Sequence, residues 1–294
     1  MNFWEAEKEY LLEIKVQKYT AKTQRGYRNN LDVWCRFAEE KGYAVEDFCK
    51  PMLKEFIGAL DGRKGTYINS LLRTVKSLLT YCSEQGYTTY KPKNNWLWVK
   101  EEKAVVVAFE PKQIKALLNN CKGNDFLSVR DRAIITMLFE TGIRCGELCD
   151  LRVEDIHEDY LLIHGKNHKQ RIVPITAPLS KAMVKYSRCR ESRYRYKSPE
   201  PEYFLSYRGR KLTVAAVEVI MKGYGNGVEG VRVSPHTCRH TFAQQQVKMG
   251  TDLYTISRLL GHENIGITQT YLNSLRDSDI VEMCREKSVL SSLG

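Results

Sequence analysis

Four short stretches in the second half of the chain contain residue types that handle phosphates and protons. They are "TGIRCGEL", "HGKNHKQR", "SPHTCRH" and "LLGHENIGITQTY", and their candidate side chains are Arg144, Lys166, His236, Arg239, His262 and Tyr271. Guanidinium groups donate paired hydrogen bonds to phosphate oxygens, and lysine and histidine supply or accept protons. A tyrosine hydroxyl becomes a nucleophile where nearby cations favour its phenolate. Together these residue types suit attack on a phosphodiester.

The third stretch shows why an anion is expected there. Ser234 reads as a helix N-cap and Pro235 as the first helical residue, which puts His236 and Arg239 three apart on one face. The start of a helix already carries partial positive charge from the macrodipole. Two more cationic side chains at that place therefore predict a negatively charged ligand.

The ordered set Arg, Lys, His-x-x-Arg, His, Tyr resembles the tyrosine recombinases, also called phage-type integrases. The resemblance covers about residues 109–275 through these motifs, and the N-terminal helical portion more loosely. It implies that Tyr271 forms a 3′-phosphotyrosyl bond with DNA, that Arg144 and Arg239 hold the phosphate, and that Lys166 protonates the departing 5′ oxygen. His236 and His262 would bind the same oxygens or move the nucleophile's proton, depending on their tautomers. Cys238 stands where an aliphatic residue is usual, and we expect this to affect packing only.

The periodicity predicts a mostly α-helical protein with a small β-sheet in the catalytic domain. The sheet is a hairpin of "YLLIHG" and "QRIVPIT" around "KNHK". The resemblance implies a two-domain DNA clamp with a tyrosine recombinase/type IB topoisomerase-like catalytic fold. We expect a helical core-binding, DNA-binding domain over residues 1–90, a linker over 91–106, and a catalytic domain over 107–294 that ends in a C-terminal helix.

Two helices of the N-terminal domain have clear boundaries. One runs from a cap at Thr20 to about Lys41 and the other from about Thr66 to about Gln85, each followed by a glycine. Polar and basic residues lie opposite their apolar stripes, and such a face can enter a major groove or simply face solvent. The DNA-binding candidates on these faces are Arg25, Arg28, Asn69, Arg73 and Lys76.

Charge and composition narrow the class of protein. Lys and Arg number 46 against 35 Asp and Glu, a formal net charge of +11, and both halves of the chain are basic. A polyanion bound by both domains would explain this distribution. Nine scattered cysteines without a C-x-x-C pair, and no long apolar run, predict a cytoplasmic, soluble protein with no membrane partner. Residues 181–211 interleave ten basic residues with five tyrosines, which fits either nucleic-acid contact or an exposed helix and loop.

A zinc site is the main chemical alternative in the catalytic half. The potential zinc ligands are His236, Cys238, His240 and His262, with His164 and His168 as a further pair. Their spacing is not that of paired ligands in zinc fingers or metalloproteases, and the charge of Arg239 among them would repel a cation. We expect no metal. No cofactor is expected either, since a phosphotyrosyl bond conserves the energy of the phosphodiester and no P-loop pattern is present. His240 is expected to brace its helix, and Glu147 to anchor the short helix after Arg144.

The resemblance also implies partners. These are double-stranded DNA recombination sites and a homo-tetramer assembled on two of them, with room for an accessory DNA-bending or directionality protein. We favour integration or excision of a mobile element. The alternatives are a chromosome-dimer-resolving Xer-type recombinase, a type IB topoisomerase and a catalytically inert DNA-binding protein. A helical pattern that begins almost at Met1 leaves no extra arm-binding domain to expect. Residues 276–294 could form a helix that docks on a neighbouring protomer or one that packs on its own domain.

Overall fold

A computed structural model describes residues 1–93, 96–102, 107–165, 169–262 and 264–272, with the side chains of residues 265, 271 and 272 left out. The chain divides into two compact units, Met1–Ala104 and Val105–Gly294. The C-terminal helix predicted over residues 276–294 lies outside the described residues. Each unit has its own hydrophobic core.

The first unit is built from four helices. They are α1 (Phe3–Val16), α2 (Ala21–Glu40), α3 (Lys50–Ala59) and α4 (Gly65–Glu84). Thr20 caps α2 by accepting a hydrogen bond from the backbone N–H of Thr23, and the glycines after α2 and α4 adopt positive φ, the conformation that an L residue avoids. The helix boundaries predicted for α2 and α4 are thus confirmed to within one residue.

Trp34 occupies the centre of the first core and is fully buried. Its indole packs edge-on against the rings of Phe3, Phe48 and Phe56, with centroids 5.0 to 5.8 Å apart. Aromatic pairs in this geometry add to the free energy gained by burying their large surfaces. The core that joins the helices is therefore largely aromatic, and it leaves the basic residues of α2 and α4 on the outside.

The second unit carries the remaining α-helices and the two strands. They are α5 (Pro111–Asn120), α6 (Phe126–Thr141), α7 (Cys145–Asp150), β1 (Tyr160–His164), β2 (Gln170–Pro174), α8 (Ala177–Tyr194), α9 (Val214–Tyr224), α10 (Pro235–Lys248), α11 (Leu253–Leu260) and α12 (Ile265–Leu272). The strands form the predicted antiparallel hairpin, with His164 paired to Gln170 nearest its tip. The prediction of a mostly helical protein with one small sheet is confirmed.

Two contacts in the second unit position the candidate site. Helix α6 packs against both α8 and α10. Gly142 ends α6 with φ +60°, which turns the chain sharply into α7. Arg144 comes two residues later, so the start of α7 lies beside the end of α6. No helix among the described residues combines the length and apolar character that a membrane span requires.

Candidate active site and DNA-binding residues

Arg144 lies at the N-cap of α7, as predicted from the glycine turn before it. Its backbone N–H donates to Glu147 Oε2 at 2.8 Å, and its Nη1 donates to Glu147 Oε1 at 2.9 Å. Glu147 thus closes the first turn of α7 from within, which confirms its anchoring role. The Arg144 side chain remains 46% exposed, so part of it is accessible to a ligand.

Arg239 reaches the same place from α10. Ser234 caps that helix and Pro235 is its first residue, as predicted. Unlike Arg144, Arg239 is only 5% exposed. Its Nη1 donates to the Gly142 carbonyl at 2.8 Å and its Nη2 to the Leu260 carbonyl at 2.8 Å.

The carbonyls at the end of α11 bring the two arginines together. Arg144 Nη1 also donates to the Leu260 oxygen, at 3.5 Å, and Arg144 Nη2 donates to the Gly261 oxygen at 3.1 Å. The last carbonyls of a helix have no partner within it and carry partial negative charge. They therefore bind guanidinium groups and offset the repulsion between Arg144 and Arg239, two residues far apart in sequence that share one acceptor.

A third arginine, Arg171, belongs to this cluster and was missed by the sequence prediction. It lies on β2, where its side chain is 10% exposed. Its Nη1 and Nη2 donate to the two oxygens of Glu147 at 2.9 and 2.7 Å, and its Nε donates to the Leu259 carbonyl at 2.7 Å. The signal that could have found it is strand alternation, because Arg171 shares a face with the buried Val173.

Glu147 stays ionised between these cations. Burial alone would raise the pKa of its carboxyl, but the hydrogen bonds and charges of Arg171 and the hydrogen bonds of Arg144 outweigh burial and hold the pKa below its usual range. Three guanidinium groups against this one carboxylate leave the cluster with net positive charge. Such an environment suits a phosphodiester and favours the more negative transition state of phosphoryl transfer.

His262 follows the end of α11 directly. Burial, then the charges of Arg239, Arg144 and Arg171, lower the pKa of its imidazole to about 4. Its Nδ1 lies 2.9 Å from Thr268 Oγ1. The imidazole is therefore neutral at physiological pH, and a hydrogen bond ties it to α12.

Helix α12 contains Tyr271 in its last turn. The helix packs against α10 and α11, which carry Arg239 and the shared carbonyls. Thr268, the partner of His262, is fully buried, and position 271 lies three residues further along, about one helical turn. The backbone of the predicted nucleophile thus lies in a helix attached directly to the arginine and histidine cluster.

Two further predicted catalytic residues are His236 and Lys166. His236 is exposed at the second position of α10, one turn before Arg239. Lys166 lies outside the described residues.

The metal alternative gains no geometric support within the described part of the chain. No group of three or more His, Cys, Asp or Glu side chains there is arranged to hold a metal ion. His164 Nε2 lies 2.7 Å from Asp155 Oδ1 instead, Cys238 is fully buried in the core, and His240 is buried within α10. His168 is outside the described residues.

The basic residues predicted to bind DNA lie on two helices of the first unit that touch. Asn30 on α2 donates from Nδ2 to Thr74 Oγ1 on α4 at 3.0 Å. The side chains of Arg25, Arg28 and Arg73 are exposed, and that of Lys76 is half-buried. Lys76 Nζ lies 5.8 Å from the centroid of the Trp98 ring, within cation–π range.

Asn69 departs from the DNA-binding prediction. It is 5% exposed, and its side chain donates to the Val99 carbonyl at 2.8 Å and to Glu101 Oε1 at 2.7 Å, and accepts from the Val99 N–H at 2.9 Å. The segment around Val99, predicted to be part of the linker, covers this part of α4. Periodicity within α4 placed Asn69 on the open face because it contains no information about a segment that packs there from thirty residues away.

Some of the basic and aromatic side chains in residues 181–211 are buried in the core, and others are exposed to solvent. Tyr186, Tyr194 and Tyr203 are buried. Arg190 Nε donates to the Tyr203 carbonyl at 3.1 Å, and Arg193 stacks 3.4 Å from the Tyr207 ring centroid. A large share of this basic and aromatic run therefore holds the loop after α8 in place.

Comparison with known proteins identifies the family of this chain. The model of the phage integrase family matches residues 108–277. The tyrosine recombinase XerC of Thermodesulfovibrio yellowstonii is 30% identical over 272 residues, which cover 89% of each chain. The chain belongs to the phage integrase family. It is a tyrosine recombinase, an enzyme that cleaves and rejoins DNA by transesterification.

Another relative and two solved structures are also similar to this recombinase. The tyrosine recombinase XerD of Chlamydia muridarum is 35% identical over 164 residues, 55% of this chain and 54% of that one. The Tn1549 transposon integrase in complex with transposon right end DNA superposes with a TM-score of 0.74 at 20% identity, over 98% of this chain and 100% of that chain. The XerH site-specific recombinase in its post-cleavage complex with palindromic difH gives 0.73 at 18% identity, over 94% and 82%. Likeness at these identities establishes the shared fold.

Proposed function

We propose that this recombinase exchanges strands between two specific DNA sites and that the cluster around Leu260 is its active site. The observation that carries the proposal is the convergence of Arg144 and Arg239 on one carbonyl, beside His262 and the helix that contains Tyr271. In this proposal the two guanidinium groups leave or share those carbonyl contacts to donate to the non-bridging oxygens of the scissile phosphate.

Cleavage transfers the scissile phosphate from the 5′ oxygen of the DNA to Tyr271. The hydroxyl oxygen of Tyr271 attacks phosphorus, the bond from phosphorus to the 5′ oxygen breaks, and the 3′ phosphate remains on the tyrosine. Lys166 gives its proton to the departing 5′ oxygen. His262, which is neutral at physiological pH, is suited to accept the phenolic proton, while His236 adds a donor to the phosphate. Rejoining is the same step in reverse.

The first unit is proposed to supply binding contacts outside the cleavage site. Exposed Arg25, Arg28 and Arg73, with Lys76, form a basic surface on α2 and α4 that suits the phosphate backbone. Family resemblance further supports a homo-tetramer on two duplexes, with an accessory DNA-bending or directionality protein as a candidate partner. Strand exchange between two duplexes requires more than one protomer, since each protomer has one candidate nucleophile.

For the biological role, we propose an Xer-type recombinase, of the kind that resolves chromosome dimers. The sequence analysis favoured integration or excision of a mobile element, and the relatives reverse that preference. Relatives that match along nearly the whole length are named XerC or XerD, among them XerC of Thermodesulfovibrio yellowstonii and XerD of Staphylococcus haemolyticus. The likeness to a transposon integrase is at the level of the fold. It gives no comparable support to integration or excision of a mobile element.

One experiment tests both chemistry and role. Genomic DNA of the source organism is fragmented, nicked at random and incubated with the full chain, and covalent protein–DNA adducts are isolated under denaturing conditions and sequenced. A nick beside the cleavage site lets the cleaved end diffuse away and traps the adduct. The proposal predicts adducts that are absent with Tyr271→Phe and that map to one chromosomal locus.

Each other outcome identifies an alternative. Adducts at the ends of a repeated element would favour the mobile-element role. Adducts spread over many sequences, with relaxation of a supercoiled plasmid, would indicate a type IB topoisomerase. DNA binding without any adduct would indicate an inert binding protein, and adducts that persist in Tyr271→Phe would refute the assigned nucleophile.

A further inference from the structure

Arg171 makes three side-chain hydrogen bonds within the active-site cluster, and the mechanism proposed above gives it no role. We propose that Arg171 is a positioning residue for strand cleavage, which holds Glu147 so that Arg144 stays available to the scissile phosphate. This inference rests on the proposed function, because it concerns how that active site is kept ready for DNA.

The first step of the argument is that Glu147 has two cationic partners. Its Oε1 accepts from Nη1 of Arg171 and from Nη1 of Arg144, both at 2.9 Å, and its Oε2 accepts from Nη2 of Arg171 at 2.7 Å. Arg171 thus binds the carboxylate with both ends of its fork, the stronger and more directional geometry. Arg144 is left with a single side-chain bond to it.

The second step is the cost of leaving Glu147 without Arg171. The Glu147 side chain is 8% exposed, and a buried carboxylate that loses a partner is strongly unfavourable. Arg144 would then become its sole guanidinium partner and be drawn into a closed pair. An arginine committed to that pair meets a phosphate only after breaking it. With Arg171 present, Arg144 can move to a ligand while the carboxylate remains satisfied.

The third step concerns the end of α11. The Leu259 carbonyl accepts a hydrogen bond from Arg171. The Leu260 carbonyl accepts from both Arg239 and Arg144, and the Gly261 carbonyl accepts from Arg144. Arg171 therefore also attaches β2 to the carbonyls that orient the two proposed phosphate ligands. Unlike Arg144 and Arg239, Arg171 binds the Glu147 carboxylate through both Nη atoms, and on that ground we assign it to positioning.

The test uses Arg171→Met, which keeps an unbranched apolar stem and removes the guanidinium group, Arg171→Lys, Glu147→Gln and the double variant Arg171→Met with Glu147→Gln. Glutamine preserves the capping of α7 at this position. The readouts are the rate of adduct formation on a nicked target duplex at saturating protein, and the dissociation constant for that duplex in a Tyr271→Phe background. Arg152→Met, in the exposed pair of Arg152 with Glu154, is the matched arginine control.

We expect Arg171→Met to slow adduct formation by roughly tenfold or more, the effect of about 1.4 kcal/mol at the transition state, with little change in DNA affinity. Arg171→Lys should be intermediate, because it restores the charge without the fork. The double variant should recover much of the lost rate, since no carboxylate then competes for Arg144. A double variant as slow as Arg171→Met or slower, with both proteins folded by circular dichroism, overturns the proposal and leaves Arg171 as a stabilising residue only.

A second measurement judges the same coupling without DNA. Phenylglyoxal modifies accessible arginines, and mass spectrometry of the peptide that contains Arg144 reports its rate. The proposal predicts slower modification of Arg144 in Arg171→Met than in the wild type, and recovery in the double variant. Unchanged or faster modification in Arg171→Met contradicts it. A wild type that forms no adduct would refute the proposed function, while the phenylglyoxal result would still decide the coupling.

Discussion

Gly142→Ala is expected to damage the second unit at the point where the arginines converge. Gly142 ends α6 with φ +60°, a conformation that costs an alanine about 1–2 kcal/mol. A Cβ there would lie 2.5 Å from Phe242 Cδ1 and 2.9 Å from Leu260 Cδ2. Both neighbours are buried in a small cluster with Val247 and Ile256. The added methyl group must therefore displace α10 and α11, at a further cost of about 1–3 kcal/mol from overpacking.

The two costs together give a loss of about 2–5 kcal/mol from the free energy of unfolding of the second unit. The displaced residues carry the acceptors of Arg239, namely the Gly142 and Leu260 carbonyls. We therefore expect slower adduct formation as well as lower stability.

The assay can separate the two units because all four tryptophans, at 4, 34, 96 and 98, belong to the first. Hydrogen exchange of peptides from α6, α10 and α11 reports on the second unit during the same urea titration in which tryptophan fluorescence reports on the first. Gly146→Ala is the matched control. A Cβ at Gly146 meets nothing within 4 Å, and alanine inside a helix is favoured by roughly 0.5–1 kcal/mol. Equal protection of the two variants, or a Gly142→Ala protein within about 0.5 kcal/mol of the wild type, would refute the reasoning.

Three further predictions concern single side chains. The folded-state pKa of His262, about 4, is below the ordinary value. The unfolded chain therefore takes up a proton first as the pH falls, and stability should drop by at most about 2 kcal/mol between about pH 7 and about pH 5. His262→Gln should lack this component, and urea unfolding with the same pH slope in both proteins would contradict it. Asn69→Ala removes three hydrogen bonds to the segment around Val99. It should destabilise the first unit by about 1–3 kcal/mol, as measured by tryptophan fluorescence, whereas an unchanged urea midpoint would show those bonds to be dispensable. Arg73→Ala should weaken DNA binding and reduce the slope of log affinity against log salt by about 1, while Asn69→Ala leaves that slope unchanged; equal slopes for Arg73→Ala and the wild type would remove α4 from the proposed interface.

Local features of this protein could be predicted from sequence because neighbouring residues determine them. Thr20 and Ser234 cap helices and the glycines after α2, α4 and α6 end them, since the bonds and backbone angles involved span only a few residues. The hairpin followed from alternation and its turn. The chemistry followed from an ordered set of residue types that resembles one family.

Tertiary structure alone decided where these local pieces meet. Asn69 is buried because a segment from thirty residues away packs over it. Arg171 lies in the cluster because β2 lies against α7 and the end of α11. No periodicity within one element encodes such approaches. The convergence of Arg144 and Arg239 on Leu260 has the same origin. Unsatisfied carbonyls at a helix end attract cations wherever packing brings them within reach, and that distance is a property of the folded chain.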